Sequence, residues 1–288
     1  MTVSTTVIGV GVAGRARVRA LHHHPRATLV AVHRGRFAAD AGVPVVGADE
    51  VLKLAELVIV ASPSETHEVW VEAALRAGRH VIVEYPLSRT GDAARRLLAL
   101  AAEKGRLLHV EHIGRLAPPT VWLAERVAAE GWTDASMTFE SPGAPWPDGA
   151  THAWQAESRL HRLTQVLGWP ATLDVGRVDG ACVEADAVWA DGRRAHLRFL
   201  RGGGGERGLD FVVWTPLGER RITGRGASSD GSPVLLAERA LFRADLDTAL
   251  DRIAGDANSY VSDEVMAAIL DLTEVLGQGP GERSVKPA

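Results

Sequence analysis

A chain of 288 residues with 46% hydrophobic and 24% charged side chains has apolar material for two ordinary domains and the composition of a water-soluble globular protein. Its formal net charge of −4 gives no electrostatic reason to expect nucleic acid or an anionic membrane as partner. A single cysteine, Cys182, excludes an intramolecular disulfide framework and a cysteine-rich zinc site. With no apolar run of ~18 residues and no signal-like start, a cytoplasmic location is expected.

Val7-Ile8 opens a short strand that runs into Gly9-Val10-Gly11-Val12-Ala13-Gly14. Arg15 to His24 reads as a helix closed by His22-His23-His24, and Thr28 to Val32 as a second strand. Val43 to Val46 can form a short strand and Asp49 to Leu54 a helical turn or two. Leu57 to Ala61, apolar throughout, is a strand covered on both faces. Ser62-Pro63-Ser64-Glu65 then predicts a helix start with a capping box, ending near Ala77-Gly78. A strand over His80–Val83, a helix over Gly91–Lys104 and a strand over Leu107–Glu111 complete the alternation. Strands separated by helix-length segments predict a doubly wound parallel sheet, a Rossmann-type α/β domain over residues 1–116.

Pro118-Pro119 marks the expected boundary. Beyond it come a helix (Val121–Glu130), a strand (Ala135–Glu140), a Pro/Gly-rich loop (Ser141–Ala150) and a helix (Glu157–Leu167). Alternating segments follow at 172–178, 182–189, 195–200, 209–214 and 220–223, then helices at 245–253 and 263–276. This pattern predicts a second, α+β domain over residues 117–288 with a large, mainly antiparallel sheet, and a frayed tail from Ser284.

Gly9-X-Gly11-X-X-Gly14 follows a strand and opens a helix, the context in which this spacing binds a dinucleotide. Gly9 permits the tight turn, Gly11 lets the backbone approach the pyrophosphate, and Gly14 lets helix and strand pack closely. Val12 and Ala13 lie between them, at the positive end of the helix. NAD-selective sites usually end the second strand in a carboxylate. Here His33-Arg34-Gly35-Arg36 stands there, so Arg34 with Arg36 are expected to pair with a 2′-phosphate and NADPH to be preferred, NADH remaining possible. Ser62, Ser64 and His67 follow the next cofactor-facing strand.

The strand His80–Val83 ends in Glu84-Tyr85-Pro86-Leu87. Together with Val10 to Gly14, Gly105 to Ile113, Ser158-Arg159-Leu160 and Leu167-Gly168, this block resembles the Gfo/Idh/MocA oxidoreductases, and among them the biliverdin reductases. The similarity is dense to about residue 116 and sparse afterwards. The resemblance implies a Rossmann domain followed by a sheet-based domain, with a bilin lying over the nicotinamide between them. Sugar dehydrogenases of the family place a catalytic lysine in this turn, and pair it with a histidine on a second-domain helix. Here the lysine position holds Tyr85, and counting back ten residues from Gly168 puts Ser158 in the histidine's place.

Oxidising a secondary alcohol needs a base with pKa near the working pH, which an ordinary tyrosine is not. Reducing a conjugated C=C bridge needs a hydride, a proton and a cation beside the developing charge. The resemblance implies that Arg159 serves as that cation and proton relay, with Arg162 three residues on. Tyr85 steers the substrate, and Glu111 orients an arginine. His109, Glu111 and His112 fit a metal poorly, because His112 leaves the strand face of the other two, so no metal is expected. Trp146 and Trp154 could flank a planar substrate. The expectation is an NADPH-dependent reductase of a linear tetrapyrrole, biliverdin to bilirubin, acting as a monomer or a small homo-oligomer through the second-domain sheet. The alternatives are an oxidoreductase acting on a sugar, polyol or imine, and a non-enzymatic dinucleotide-sensing regulator.

Overall fold

The apolar runs of the first third of the chain form, in the computed structural model, a five-stranded parallel sheet. Its strands are β1 (Val3–Ile8), β2 (Ala27–His33), β3 (Leu57–Val60), β4 (His80–Val83) and β5 (Leu108–Val110), in the order β2-β1-β3-β4-β5. The structure describes residues 2–202, 207–224, 227–228, 238–256 and 259–285. Helices α1 (Val12–Leu21), α2 (Ala48–Val51), α3 (His67–Arg76) and α4 (Gly91–Glu103) connect the strands. Every residue of β3 is fully buried, as a strand covered on both faces requires. Winding reverses between β1 and β3, and ligands of such sheets bind beyond the strand ends at that reversal.

Two local expectations change. The helix expected from Ser62 begins later: a 3-10 turn, Ser64–Thr66, precedes α3, and Ser62 Oγ bonds Thr66 Oγ1 instead of capping. Glu65 therefore closes no capping box. Val43–Val46 contributes only a single bridge, Val32 to Val45.

The second unit contains α5 (Ile113–Leu116), α6 (Pro118–Glu130), β6 (Asp134–Ser141), α7 (Gly149–Gln155) and α8 (Glu157–Leu167). Strands β7 (Thr172–Val178), β8 (Cys182–Val188), β9 (Arg194–Arg201), β10 (Gly208–Thr215), β11 (Gly218–Gly224) and β12 (Ala227–Ser228) follow. After α9 (Glu238–Ile253) and α10 (Asp263–Gly277), β13 (Gly281–Ser284) closes an eight-stranded sheet ordered β12-β11-β10-β6-β9-β8-β7-β13. Only the β6–β9 pair is parallel. Alternation gives the sheet one apolar face (Met137, Ala185, Leu197, Phe199, Phe211) and one face of charge pairs. On the latter His196 meets Asp186 at 2.8 Å and Arg221 meets Asp210 at 2.8 Å. The expected frayed tail is corrected at its start: Ser284 pairs with Thr172 in β7, and Val285 N–H donates to the Ala171 carbonyl. Residues 286–288 lie outside the described residues. Among the described residues no helix is long and apolar enough to cross a membrane.

The domain division differs from the expected 1–116 and 117–288. One unit is Met1–Ile113 with Ala237–Ala267, the other Gly114–Leu236 with Ala268–Ala288. The physical reason lies in α9. Leu246, Ala249 and Leu250 join Val7, Val18, Leu21 and Val32 in one buried cluster. Asp245, fully buried on the same helix, accepts hydrogen bonds from Arg17 Nη1, His109 Nε2 and Tyr260 OH. Burial raises the Asp245 carboxyl, but Arg17 and His109 outweigh it and hold the group well below the ordinary carboxylate range. Its stabilising contribution is therefore in place above about pH 4 and is lost as the pH falls. Replacing Asp245 by Ala leaves the Arg17 charge buried with one partner fewer. Urea unfolding at pH 7 should show a loss of about 3–5 kcal/mol, shrinking on acidification.

Candidate cofactor and active site

The glycine turn fits a dinucleotide sterically. At Gly9, φ is +89°, and a Cβ there would stand 2.5 Å from the Ser62 backbone. A Cβ on Gly14 would stand 2.0 Å from the Gly9 carbonyl oxygen, so helix and strand touch through bare backbone. At Gly11, by contrast, a Cβ would meet nothing within 4 Å. That open side is where a pyrophosphate can approach. No side chain caps α1, and Val12 at its head is 85% exposed. An uncapped helix N-terminus beside open backbone is an anion site.

The end of β2 is stitched to this turn. Gly9 N–H donates to the His33 carbonyl, Val10 N–H to that of Arg34, and Phe37 N–H to that of Val10. Arg34 (φ +58°) adopts the left-handed conformation, followed by Gly35 at +121°. The His33 ring turns inward, with Nδ1 2.8 Å from the Val46 carbonyl oxygen and its edge against Trp70. Its backbone, not its ring, belongs to the turn. The Arg34 and Arg36 side chains are exposed.

Glu84, Tyr85 and the cis-Pro86 follow β4. Glu84 Oε1 accepts from Arg17 Nε at 2.6 Å, and Arg17 is completely buried. Burial works against the Arg17 charge, yet Glu84, Asp245 and Glu111 raise its pKa above the ordinary value. His67 is buried, with Nδ1 2.8 Å from the Pro86 carbonyl oxygen and Nε2 2.8 Å from that of Ser62. It therefore ties the two turns beyond β3 and β4 together. Ser64, half-buried, lies in the 3-10 turn between them. Tyr85 is half-buried and stacks against His112, ring centroids 6.4 Å apart.

Glu111 is buried and accepts the Ile113 N–H at 2.6 Å. Burial and the nearby Glu84 charge raise its pKa well above the usual carboxylate value, with Arg17 opposing. The arginine it addresses electrostatically is thus Arg17. His109, expected on the same strand face, meets Asp245 at 2.7 Å and packs edge-on to Tyr260.

In the second unit, the Arg159 guanidinium lies 3.5 Å over the Phe139 ring of β6 and donates to Ser158 Oγ at 2.9 Å. Arg162 takes a different neighbour: a Cβ on Gly114 would stand 2.6 Å from its Nε. Trp154 is buried as a core residue, whereas Trp146 lies under the Arg201 guanidinium at 4.4 Å. Glu157 and His161 form a pair that no family motif marks. Both are buried on α8, with His161 Nε2 3.6 Å from Glu157 Oε1, and burial pushes the Glu157 carboxyl up to about 8. The signal was available as an acid and a histidine four residues apart on one helical face.

Residues 3–112 match the family model of the Gfo/Idh/MocA oxidoreductases, an oxidoreductase family with an NAD-binding Rossmann fold. Among curated relatives, biliverdin reductase A of Homo sapiens is 31% identical over 169 residues, 56% of this chain. Inositol 2-dehydrogenase 1 of Saccharopolyspora erythraea is 32% identical over 193 residues, 57% of this chain. Each match spans 57% of the relative's own length. The chain also resembles the crystal structure of biliverdin reductase from Synechocystis sp. PCC 6803, in complex with biliverdin and NADP+. There the TM-score is 0.81 at 25% identity, covering 96% of this chain and 98% of that one. Residues 3–112 thus match the NAD-binding Rossmann domain of the Gfo/Idh/MocA oxidoreductases, and NAD(P) is the cofactor that such a domain takes.

Proposed function

We propose that the protein is an NADPH-dependent reductase of a linear tetrapyrrole, converting biliverdin to bilirubin. The observation that carries the reading is the turn after β4. Tyr85 occupies the position where an alcohol-oxidising relative needs an amine, and Glu84, bonded to buried Arg17, fixes that turn. The likeness to biliverdin reductases in sequence and in fold supports the same reading. Arg34 and Arg36, with no carboxylate at the end of β2, support NADPH over NADH.

The reaction adds a hydride to the central bridging carbon and a proton to a pyrrole nitrogen. NADPH, when bound, supplies the hydride. Gly9, Gly11 and Gly14 shape the phosphate turn, and the free N–H groups of Val12 and Ala13 face the anion. Tyr85 offers a flat, half-buried surface that orients a planar substrate. Arg159, held on Phe139 and by Ser158, is the cation that this reading assigns to stabilise the electron density the tetrapyrrole gains. Because a guanidinium holds its proton tightly, Arg159 relays a proton that water ultimately provides.

Purified protein mixed with NADPH and biliverdin should turn from green to yellow. Arg159→Ala should lose most of that activity, on the order of 10²-fold as for removal of one stabilising donor, and Tyr85→Phe should keep much of it. No colour change with the unaltered protein at any pH between about 5 and 9 overturns the reading.

The Glu157–His161 pair favours a second reading, oxidation of a polyol or sugar alcohol, since a carboxyl near pKa 8 beside an imidazole can accept a hydroxyl proton. NADP+-linked oxidation of a polyol panel, abolished by His161→Ala, would support it. Whatever the substrate, Glu157 makes folding pH-dependent. Its folded pKa lies above the ordinary carboxylate value, so stability is greatest below about pH 4.5 and falls as the pH rises toward 8. Glu157→Gln should remove that slope, on the order of 1 kcal/mol per pH unit, in thermal unfolding followed from pH 5 to 8.

A further inference from the structure

We infer that Arg15, in the first turn of α1, is a cofactor-selecting residue that shares the adenosine 2′-phosphate with Arg36, and that Phe37 holds both guanidiniums ready. The inference rests on the NADPH reading given above and adds residues that the pattern at the end of β2 does not indicate.

Arg15 directly follows the glycine turn. A cation in the first turn of a helix faces the positive end of the macrodipole, which costs about 0.3–1 kcal/mol where nothing offsets it. The first turn of α1 contains no acid. The arginine is nevertheless held in place, its guanidinium carbon 4.8 Å from the centroid of the Phe37 ring. Arg36, arriving from β2, places its own guanidinium 5.4 Å from the same centroid. One aromatic ring thus gathers two like charges that would otherwise separate. A cation over an aromatic face gains roughly 0.5–1 kcal/mol at an exposed site, comparable to the repulsion it must offset.

The ring is well anchored. Phe37 packs against the core of the first unit, and its N–H donates to the Val10 carbonyl oxygen at 3.0 Å. Gly35 makes this approach possible, since a Cβ there would stand 2.3 Å from the Val10 nitrogen. The platform is therefore built onto the same glycine turn that receives the pyrophosphate.

The charges around it have no counter-charge. Elsewhere arginines meet carboxylates, as Arg26 meets Asp247 and Arg221 meets Asp210. Among the described residues, Arg15, Arg34 and Arg36 have no such pair. Two cations gathered on one ring beside the glycine turn, with a third, Arg34, two residues before one of them in sequence, call for a multiply charged anion. A phosphate monoester at the ribose 2′ position carries two charges and accepts guanidinium forks from two sides. A ribose 2′-hydroxyl has neither property.

Isothermal titration with adenosine 2′,5′-bisphosphate and with adenosine 5′-monophosphate tests the inference without turnover. The unaltered protein should bind the bisphosphate at least tenfold more tightly. Arg15→Gln should remove most of that preference while leaving the monophosphate affinity unchanged, and Phe37→Leu should give a smaller loss in the same direction. Arg15 is exposed, and circular dichroism of each variant verifies the fold. If the unaltered protein prefers neither nucleotide, the NADPH reading and this inference both fail. If it prefers the bisphosphate but Arg15→Gln retains the preference, the inference alone is overturned.

Discussion

One buried positive charge organises the first unit. Taking the Arg17 guanidinium out of water costs several kcal/mol, and the molecule recovers this only by surrounding it with acceptors of defined geometry. Glu84 and Asp245 bond to it directly, and the Phe242 ring covers it at 4.8 Å. Glu111 is the third carboxyl nearby, and burial together with the neighbouring Glu84 charge raises its pKa well above the usual carboxylate value. One arginine thus faces three carboxyl groups, an arrangement that no single residue dictates. His109 and Tyr260 donate to Asp245, and Tyr260 in turn accepts the His112 N–H. The helix carrying the phosphate turn, the ends of β4 and β5, and α9 are consequently fixed by one set of bonds.

That arrangement explains how the turn bearing Tyr85 stays in register with the dinucleotide site. Arg17 lies in the second turn of α1, so a bond from Arg17 to Glu84 couples the helix to the turn after β4. His67 adds a second coupling through carbonyls of both adjacent turns. A site assembled from several strand ends needs such cross-ties, because each turn by itself has only local hydrogen bonds to define it. A hydride transfer that depends on distances of about 3–3.5 Å would exploit such rigidity.

The elements legible in the sequence were those set by local pattern. The apolar runs at 57–60 and 80–83, the glycine spacing at 9–14 and the strands from 172 onward all follow from period and turn chemistry. Less legible was whatever depends on a distant partner. Nothing local marks Asp245 as a partner of Arg17, and so nothing local ties α9 to the first unit. Ser284 looked like tail because polar residues near a terminus give no sign that an edge strand awaits them. Ser62 looked like a helix cap, but its hydroxyl found Thr66 first. At the site, Arg34 and Arg36 were visible by their position after β2. Arg15 and Phe37 were not, since their relation exists only once the loop is laid against Val10.

The return of α9 to the first unit has a consequence for the order in which the protein is made. Arg17 leaves the ribosome 228 residues ahead of Asp245. At a synthesis rate of about 5–20 residues per second, it waits roughly 10–45 seconds for its second carboxylate. Until then the nascent sheet carries a charge it cannot bury and an apolar face that Leu246 and Leu250 have yet to cover. The nucleotide-binding unit, first in sequence, is completed only after most of the second unit has been synthesised.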